Sequence, residues 1–297
     1  MYRGVLYMLL ASFSFALVNF LVKILSDRHD LFPEIQNYPE IELVFFRSII
    51  SFTICFAIIK ARKIPFFGVN KKWLVIRGFA GFISLTLFFY TIANIPLAIA
   101  TIIQYLSPIF TIVIAIYLNK QKVNPIQWLF FAISMTGVVI IGLGDDATDA
   151  IDPFWIGIGL LSALISGIAY NSIIKCSTTD QPITVVMYFP LIAAPITFVL
   201  LWINGFIIPK GIEWILLGLI GIITQIAQVS MTRAFNAANA ASVTPIKYFG
   251  AIYALLFGFF IFNETLSLYA SIGIVFILVG VLLNTFFKNK RLKLKFR

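Results

Sequence analysis

Residues 97–118 read LAIATIIQYLSPIFTIVIAIYL, an uninterrupted run without a charged side chain. An α-helix needs about 20 apolar residues to cross the hydrocarbon core of a bilayer. The same character extends on both sides of this run, because 61% of the 297 residues are apolar and only 11% are charged. A soluble domain has about 25% charged residues. The composition therefore excludes a soluble enzyme, a disordered chain and an ordinary DNA-binding domain, and it indicates a polytopic membrane protein.

Nine further segments of this kind can be placed, and Asn, Pro and Gly residues separate them. Helices are predicted rather than a β-barrel, because the apolar runs are continuous and do not alternate with period two. The first run extends to about residue 25, which is too long for a cleavable signal peptide, so we predict a retained helix. The predicted fold class is all-α with ten transmembrane helices, at residues 4–25, 42–60, 74–94, 97–118, 125–143, 154–175, 183–204, 213–234, 240–262 and 268–287.

The distribution of charge supports this count. If the N-terminus is cytoplasmic and the loops alternate, 17 of the 22 Lys and Arg residues fall on the cytoplasmic side, with Arg77 counted among them, and 11 of the 12 acidic residues fall on the other side. A missed or extra helix would destroy this segregation. We therefore predict a multi-pass protein with both termini in the cytoplasm.

The sequence contains an internal repeat. A shift of 143 residues pairs Thr101 with Thr244, Tyr105 with Tyr248 and Gly137 with Gly280; a shift of 152 pairs Ser14 with Ser166, Asn19 with Asn171 and Lys23 with Lys175. Each repeat holds five helices, an odd number, so the second copy is inverted in the membrane. The predicted domains are residues 1–150 and 151–297. Inverted repeats are typical of secondary transporters, which bind their substrate near the membrane centre at the repeat interface.

Several motifs resemble a known family. YTIANIPLAIAT at 90–101, LSPIF at 106–110, RAFNAANAASVTP at 233–245 and FNETL at 262–266 resemble the drug/metabolite transporter superfamily, in its ten-helix EamA-type branch. The resemblance covers nearly the whole chain and implies a transporter of the bacterial inner membrane. TPIKYFG at 244–250 is similar to the S-adenosylmethionine carriers of that superfamily. The first repeat has Lys120-Gln121 where the family often has Gly-Glu, whereas the second repeat keeps Glu264.

Lys247 is the strongest candidate for a binding residue. A charge at membrane depth is costly and must face protein or water. We predict Lys247 about eight residues inside the ninth helix, near Pro245, where it would hold a carboxylate or phosphate of a substrate. The alternative is a buried lysine capped by a polar neighbour. The 143-residue shift relates Gln104 to Lys247 and Tyr105 to Tyr248, so these four side chains are predicted to face one central cavity.

Other polar residues within the predicted spans carry two interpretations each. Asn19 and Asn171 either line the cavity or form hydrogen bonds between helices. Gln225 and Gln228 lie three residues apart on one helix face, and they either join the cavity or bond between helices. All four are retained as candidate substrate-binding residues.

Three basic residues have structural interpretations. Lys23 and Lys175 are predicted to interact with the dipole at the C-terminal ends of their helices. Arg47 is predicted to extend towards the membrane interface or to pair with Glu42.

Taken together, the sequence predicts a secondary transporter that moves a small polar metabolite by alternating access. Amino-acid-like, nucleoside-like and S-adenosylmethionine-like substrates stay open. The alternative is a flippase or exporter of a lipid-linked or amphipathic compound, and a channel or structural protein is a third class. No nucleotide-binding loop, zinc-ligand cluster or nucleophile–base pair is found, so we expect no cofactor, no metal and no enzymatic activity. The expected partners are a small-molecule substrate and membrane lipid, without nucleic acid, in a monomer or homodimer.

Overall fold

The protein is described by a computed structural model over residues 2–26, 32–119, 125–143, 151–176, 179–237 and 244–295. Within these ranges it consists of α-helices, one short 3-10 helix and their connections, without a strand. The helices are α1 (Tyr2–Leu25), α2 (Glu40–Ala61), α3 (Lys71–Asn94), α4 (Leu97–Gln104), α5 (Ser107–Asn119), α6 (Pro125–Gly142), α7 (Pro153–Cys176), α8 (Pro182–Asn204), α9 (Glu213–Ala237), α10 (Phe249–Ile261) and α11 (Leu268–Lys295), and the 3-10 helix is Thr244–Tyr248.

The helices form ten membrane-crossing segments. Eight are long and apolar enough to span a bilayer, with α4 and α5 counted together as the fourth span. Two shorter apolar segments, Ile246–Ile261 and Leu268–Asn284, supply the ninth and tenth spans. The predicted fold class is confirmed. The span limits fall within a few residues of the prediction, except that α11 continues to Lys295.

The fourth span is broken, whereas the sequence predicted a continuous helix over 97–118. α4 ends at Gln104 and α5 begins at Ser107. Pro108 has no amide hydrogen, so it cannot donate to the Gln104 carbonyl and continue the hydrogen bonding of α4. The Leu106 amide instead donates to the Ile103 carbonyl at 3.0 Å, which tightens the last turn.

The ninth span is interrupted at the equivalent position. Thr244–Tyr248 form the 3-10 helix, and α10 begins at Phe249. Tyr248 is related to Tyr105 by the 143-residue shift, so the fourth span of each repeat is interrupted at the paired tyrosine. The predicted ninth helix began at residue 240, and residues 238–243 lie outside the described ranges.

The helix packing has the two-fold relation expected of two repeats. The principal contacts between repeats join α3 to α7, α1 to α9, α2 to α8 and α6 to α11. Exchanging the repeats converts the α3–α7 pair into the α9–α1 pair, and it converts the other two pairs into themselves. Because each repeat crosses the membrane five times, this relation places the repeats in opposite orientations, as in other inverted-repeat transporters.

Glycines allow α6 and α11 to pack with their backbones in close approach. A Cβ atom on Gly137 would lie 2.5 Å from the Gly273 carbonyl oxygen, and a Cβ on Gly273 would lie 2.5 Å from the Gly137 carbonyl oxygen. Small residues commonly permit such contacts between membrane helices. This pair lies away from the central cavity described below.

The connecting segments tie the repeats together where α1 ends. The Glu213 carboxylate accepts hydrogen bonds from the backbone and side-chain amides of Gln36 at 2.7 Å, from the Tyr38 hydroxyl at 2.6 Å and from the Lys210 amide at 2.7 Å. Burial, together with the adjacent carboxylate of Glu213, raises the pKa of Tyr38 well above its ordinary value.

The equivalent connections at the opposite end are joined by Asp180. Its carboxylate accepts hydrogen bonds from the Val69 and Asn70 amides and from the Thr179 hydroxyl. Burial alone would raise the pKa of Asp180, but these hydrogen bonds to the charged form outweigh it, and the pKa lies below its ordinary value. Both ends of the α2–α8 pair are therefore fixed by a carboxylate from the second repeat.

Candidate functional site

A cavity of about 150 Å³ lies at the centre of the helices. Its walls come from α1, α2, α3, α4, α7, α8, α9, the 3-10 helix and α10, so both repeats contribute. Lining residues on α1 fall at its middle, between Ser12 and Asn19, which places the cavity at mid-membrane depth. Helices α6 and α11 contribute no lining residue and pack against each other at the side.

Five of the eight predicted site residues line this cavity: Lys247, Gln104, Tyr105, Asn19 and Gln228. Tyr248 lies behind Tyr105, and Asn171 and Gln225 lie between helices. The sequence therefore located the central cavity from the repeat, but it did not separate cavity residues from packing residues on the same helices.

The sequence predicted Lys247 about eight residues inside the ninth helix. The structure places it in the 3-10 helix that precedes α10. Its Nζ donates a hydrogen bond to the Tyr170 hydroxyl at 2.9 Å and lies 4.9 Å from the centroid of the same ring. The Lys247 carbonyl accepts a hydrogen bond from the Ser12 hydroxyl at 2.9 Å. The lysine is thus held by α1 and α7 with its ammonium group at the cavity wall.

Gln104 is held in a hydrogen-bonded cluster with three serines. Its Nε2 donates to Ser166 Oγ at 2.8 Å, and its Oε1 accepts from Ser162 Oγ at 3.0 Å. Ser84 Oγ lies 2.5 Å from Ser166 Oγ and also donates to the Ser162 carbonyl at 3.0 Å. This cluster joins α3, α4 and α7 and gives the cavity one polar wall in a fixed orientation.

The two paired tyrosines contact each other. Tyr105 and Tyr248 have ring centroids 5.2 Å apart and an interplanar angle of 90°, an edge-to-face contact. Equivalent residues of two-fold-related repeats meet each other only near the symmetry axis. Tyr105 lines the cavity beside Gly250, where a Cβ would collide with its hydroxyl.

Asn171 and Gln225 form interhelical hydrogen bonds, which was the second of their two predicted interpretations. Asn171 Nδ2 donates to the Thr111 carbonyl at 2.9 Å and joins α7 to α5. Gln225 accepts from the Ser51 hydroxyl at 2.7 Å and donates to Cys55 Sγ at 3.3 Å, which joins α9 to α2. Neither side chain lines the cavity.

Two arginines that the sequence assigned elsewhere also line the cavity. Arg77 was counted with the cytoplasmic charges, although the predicted span 74–94 contains it, and it lies within α3 and is 8% exposed. Arg47 was expected to extend outwards or to pair with Glu42, but it is 5% exposed and forms no ion pair with that residue. Both side chains line the same cavity. The apolar run 73–76 before Arg77 was the available signal for its depth.

Lys23 lies in the last turn of α1, as predicted, and it is buried as well. Its Nζ lies 3.4 Å from Glu264 Oε1, and it donates hydrogen bonds to the Ile92 and Ile95 carbonyls at 3.1 and 3.0 Å. Glu264 accepts from the Leu97 amide at 3.0 and 2.9 Å. Among the described residues this is the only ion pair, and it connects α1, α3 and α4 of the first repeat to the second repeat.

The end of the molecule that holds this ion pair is closed by packed side chains. α1 and α3 end there, and α2 and α4 begin there. The fully buried residues at this end include Leu25, Tyr38, Leu43, Ile92, Leu97 and Ile99. Among the described residues, buried side chains therefore fill the space between the helices at this end.

Comparison with known proteins assigns the architecture to a family. The model of the EamA-like transporter family matches residues 2–143 and again residues 153–286. The chain belongs to the EamA-like transporter family. The predicted membership of the drug/metabolite transporter superfamily is confirmed, and the two matched segments correspond to the two five-span repeats.

Curated relatives agree with this assignment. The pseudopaline exporter CntI of Pseudomonas aeruginosa is 30% identical over 279 residues, which cover 93% of this chain and 94% of the exporter. An uncharacterized transporter of Helicobacter pylori is 27% identical over 291 residues, covering 94% and 93% of the two chains. Human solute carrier family 35 member G1 is 29% identical over 140 residues, or 46% of this chain and 36% of that protein.

A solved crystal structure has the same fold. It superposes with a TM-score of 0.61 at 18% identity and covers 96% of this chain and 97% of the other. The family membership and the similarity to an exporter point to a multi-pass membrane transport protein with a small-molecule substrate.

Proposed function

We propose that the protein is a secondary transporter that moves a small polar metabolite bearing a negative charge by alternating access. The observation that carries this proposal is the position of Lys247. Its ammonium group lies at the wall of a mid-membrane cavity enclosed by both repeats, at the interruption of the ninth span. A fixed cation at a broken helix is a suitable binding group for a carboxylate or phosphate, because the low dielectric strengthens the attraction.

The other predicted residues have complementary roles in this proposal. Gln104 supplies amide groups that the serine cluster orients, and Tyr105 supplies an aromatic wall at the symmetry axis. Asn19 and Gln228 complete the polar surface of the cavity from α1 and α9. Asn171, Gln225 and Tyr248 support the helices that carry the binding residues.

Alternating access would use the two repeats, residues 1–150 and 151–297, as the moving bodies. The end closed by the Lys23–Glu264 pair would face the periplasm of a bacterial cell, and both termini would lie in the cytoplasm, as the charge distribution suggests. Opening this end requires that the ion pair separate, because it joins the two repeats. All described lining residues come from one chain, so the proposal holds for a monomer and for a homodimer.

An exporter of an amphipathic compound is the second candidate. The cavity wall includes the rings of Phe15, Phe88 and Phe89, which could hold an apolar group. The similarity to a pseudopaline exporter supports outward movement. A preference for long-chain over water-soluble compounds in competition assays would favour this alternative.

Binding and flux measurements test the proposal. A thermal-shift screen of purified protein against amino acids, nucleotides and S-adenosylmethionine identifies a stabilising ligand. Uptake of that ligand into proteoliposomes is then compared between wild type, Lys247→Ala and the exposed control Lys210→Ala. We expect the Lys247→Ala substitution to raise the dissociation constant at least tenfold, since a charge-assisted hydrogen bond contributes about 1.5–3 kcal/mol. Unchanged affinity and flux in Lys247→Ala would show that Lys247 does not bind the substrate.

A further inference from the structure

The cavity holds more positive charge than a single acidic group of a substrate would need. Arg47 on α2 and Arg77 on α3 line it together with Lys247. Both arginines are more than nine-tenths buried, and the Nε atom of each has no hydrogen-bond partner. Guanidinium groups bind carboxylates and phosphates through paired hydrogen bonds, so unpartnered buried donors of this kind are suited to an anionic ligand.

The described residues do not neutralise these arginines. No carboxylate occurs among the residues that line the cavity. Glu42, on the same helix as Arg47, accepts a hydrogen bond from the Ile207 amide at 3.3 Å instead. The one ion pair among the described residues, Lys23–Glu264, belongs to the closed end. Because an unpaired buried charge is unfavourable in the free protein, its presence in a cavity indicates a binding role.

The two arginines approach each other around one phenyl ring. The Arg47 guanidinium carbon lies 5.3 Å from the centroid of the Phe189 ring and 5.8 Å from that of Phe89. A Cβ atom at Gly81 would collide with Arg77 Nη1 and would lie 3.1 Å from Phe189 Cδ2. Gly81 therefore leaves the space that Arg77 occupies, and both guanidinium groups reach the neighbourhood of Phe189.

Lys247 reaches the cavity from a different span of the chain than the two arginines. It lies on the ninth span and is held by Tyr170 and Ser12, whereas the arginines come from the second and third spans. We infer that the cavity contains two anion-binding subsites, one at Lys247 and one between Arg47 and Arg77, and that its substrate carries at least two acidic groups. This inference rests on the proposed function, and it narrows the substrate class to organic polyacids with carboxylate or phosphate groups.

A series of linear dicarboxylates measures the two subsites directly. Purified full-length protein is titrated with α,ω-dicarboxylates from succinate to suberate, each beside the monocarboxylate of equal length, at constant pH and ionic strength. The dissociation constant is obtained from the dependence of the melting temperature on ligand concentration. We expect the dissociation constant of at least one dicarboxylate to be at least about tenfold lower than that of its monocarboxylate. A second charge-assisted hydrogen bond contributes enough free energy for this difference.

Variants assign the second contact to the arginines. Arg47→Gln and Arg77→Gln should each reduce binding of the preferred dicarboxylate to the level of the monocarboxylate, while Lys247→Gln should weaken both ligands. Arg77→Lys retains the charge without the planar fork and should give an intermediate affinity. Arg62→Gln, at an exposed position in the α2–α3 connection, is the matched control and should bind like wild type. Removal of an unpaired buried charge should leave the ligand-free variants at least as thermostable as wild type.

The possible outcomes separate this inference from the proposed function. Equal binding of mono- and dicarboxylates across the series, absence of binding by every member, or a preference that persists in both glutamine variants would overturn the two-subsite inference. If chloride or inorganic phosphate raises monocarboxylate affinity in wild type but not in the arginine variants, the second subsite holds a separate anion and the polyacid substrate is wrong. Lys247-dependent binding without any dicarboxylate preference would leave the proposed function intact.

Discussion

At the scale of single residues, Asn19 and Asn171 show how equivalent positions acquire different roles. The 152-residue shift pairs them, yet Asn19 lines the cavity and Asn171 bonds to the Thr111 carbonyl across a helix interface. A helix buried on most of its surface can direct a polar side chain to a cavity or to a neighbouring helix. The repeat identifies the position along the helix, and only the packing determines the direction.

This pair yields a residue-scale prediction. Asn171→Ala should lower the free energy of unfolding by about 1 kcal/mol, the scale of an interhelical hydrogen bond in a membrane, and should leave substrate affinity unchanged. Asn19→Ala should weaken substrate binding with little change in stability. Thermal unfolding and ligand titration of both variants measure the two effects. If Asn171→Ala lost substrate affinity while its stability stayed that of wild type, Asn171 would be a substrate-binding residue.

At the scale of helices, the sequence predicted the spans well and their interruptions poorly. Long apolar runs are sufficient to locate membrane helices, because the bilayer fixes their length. The break after Gln104 depends on Pro108 and on the packing of Tyr105 against Tyr248, which lies 143 residues away in the chain. Arg77 was misplaced because it lies near a span boundary, where the sequence does not distinguish an interfacial arginine from one directed into a cavity.

The α6–α11 contact provides a prediction at this scale. Gly137→Ala would place a methyl group against the Gly273 backbone, where no flexible side-chain end can move aside. We expect a loss of about 1–3 kcal/mol in the free energy of unfolding, as for other overpacked interiors. Gly157→Ala is the control, since a Cβ at that helical position meets nothing within 4 Å. Equal stability of the two variants in thermal unfolding would contradict close packing of α6 on α11.

At the scale of the whole molecule, the two repeats differ in the residues that could hold each end of the cavity closed. Lys23 pairs with Glu264 at the closed end. The corresponding residues of the other end are Lys175, which lies 6.0 Å from the Trp73 ring centroid, and Gln121, which lies outside the described residues. Glu264 therefore has no acidic equivalent in the first repeat. The Lys23–Glu264 ion pair would favour the conformation in which its end is closed.

This asymmetry predicts how Glu264→Gln changes the conformational equilibrium. The substitution removes the carboxylate that neutralises the buried Lys23 ammonium group, which is unfavourable until the closed end separates and admits water. Ala169→Cys, at a cavity-lining residue, reports opening in a Cys55→Ser, Cys176→Ser background. A membrane-impermeant thiol reagent applied at the closed end should label this cysteine several-fold faster in Glu264→Gln, because the open state gains population. Glu34→Gln, an exposed acid in the α1–α2 connection, should label at the parent rate. An unchanged labelling rate in folded Glu264→Gln protein would mean that the ion pair does not hold this end closed.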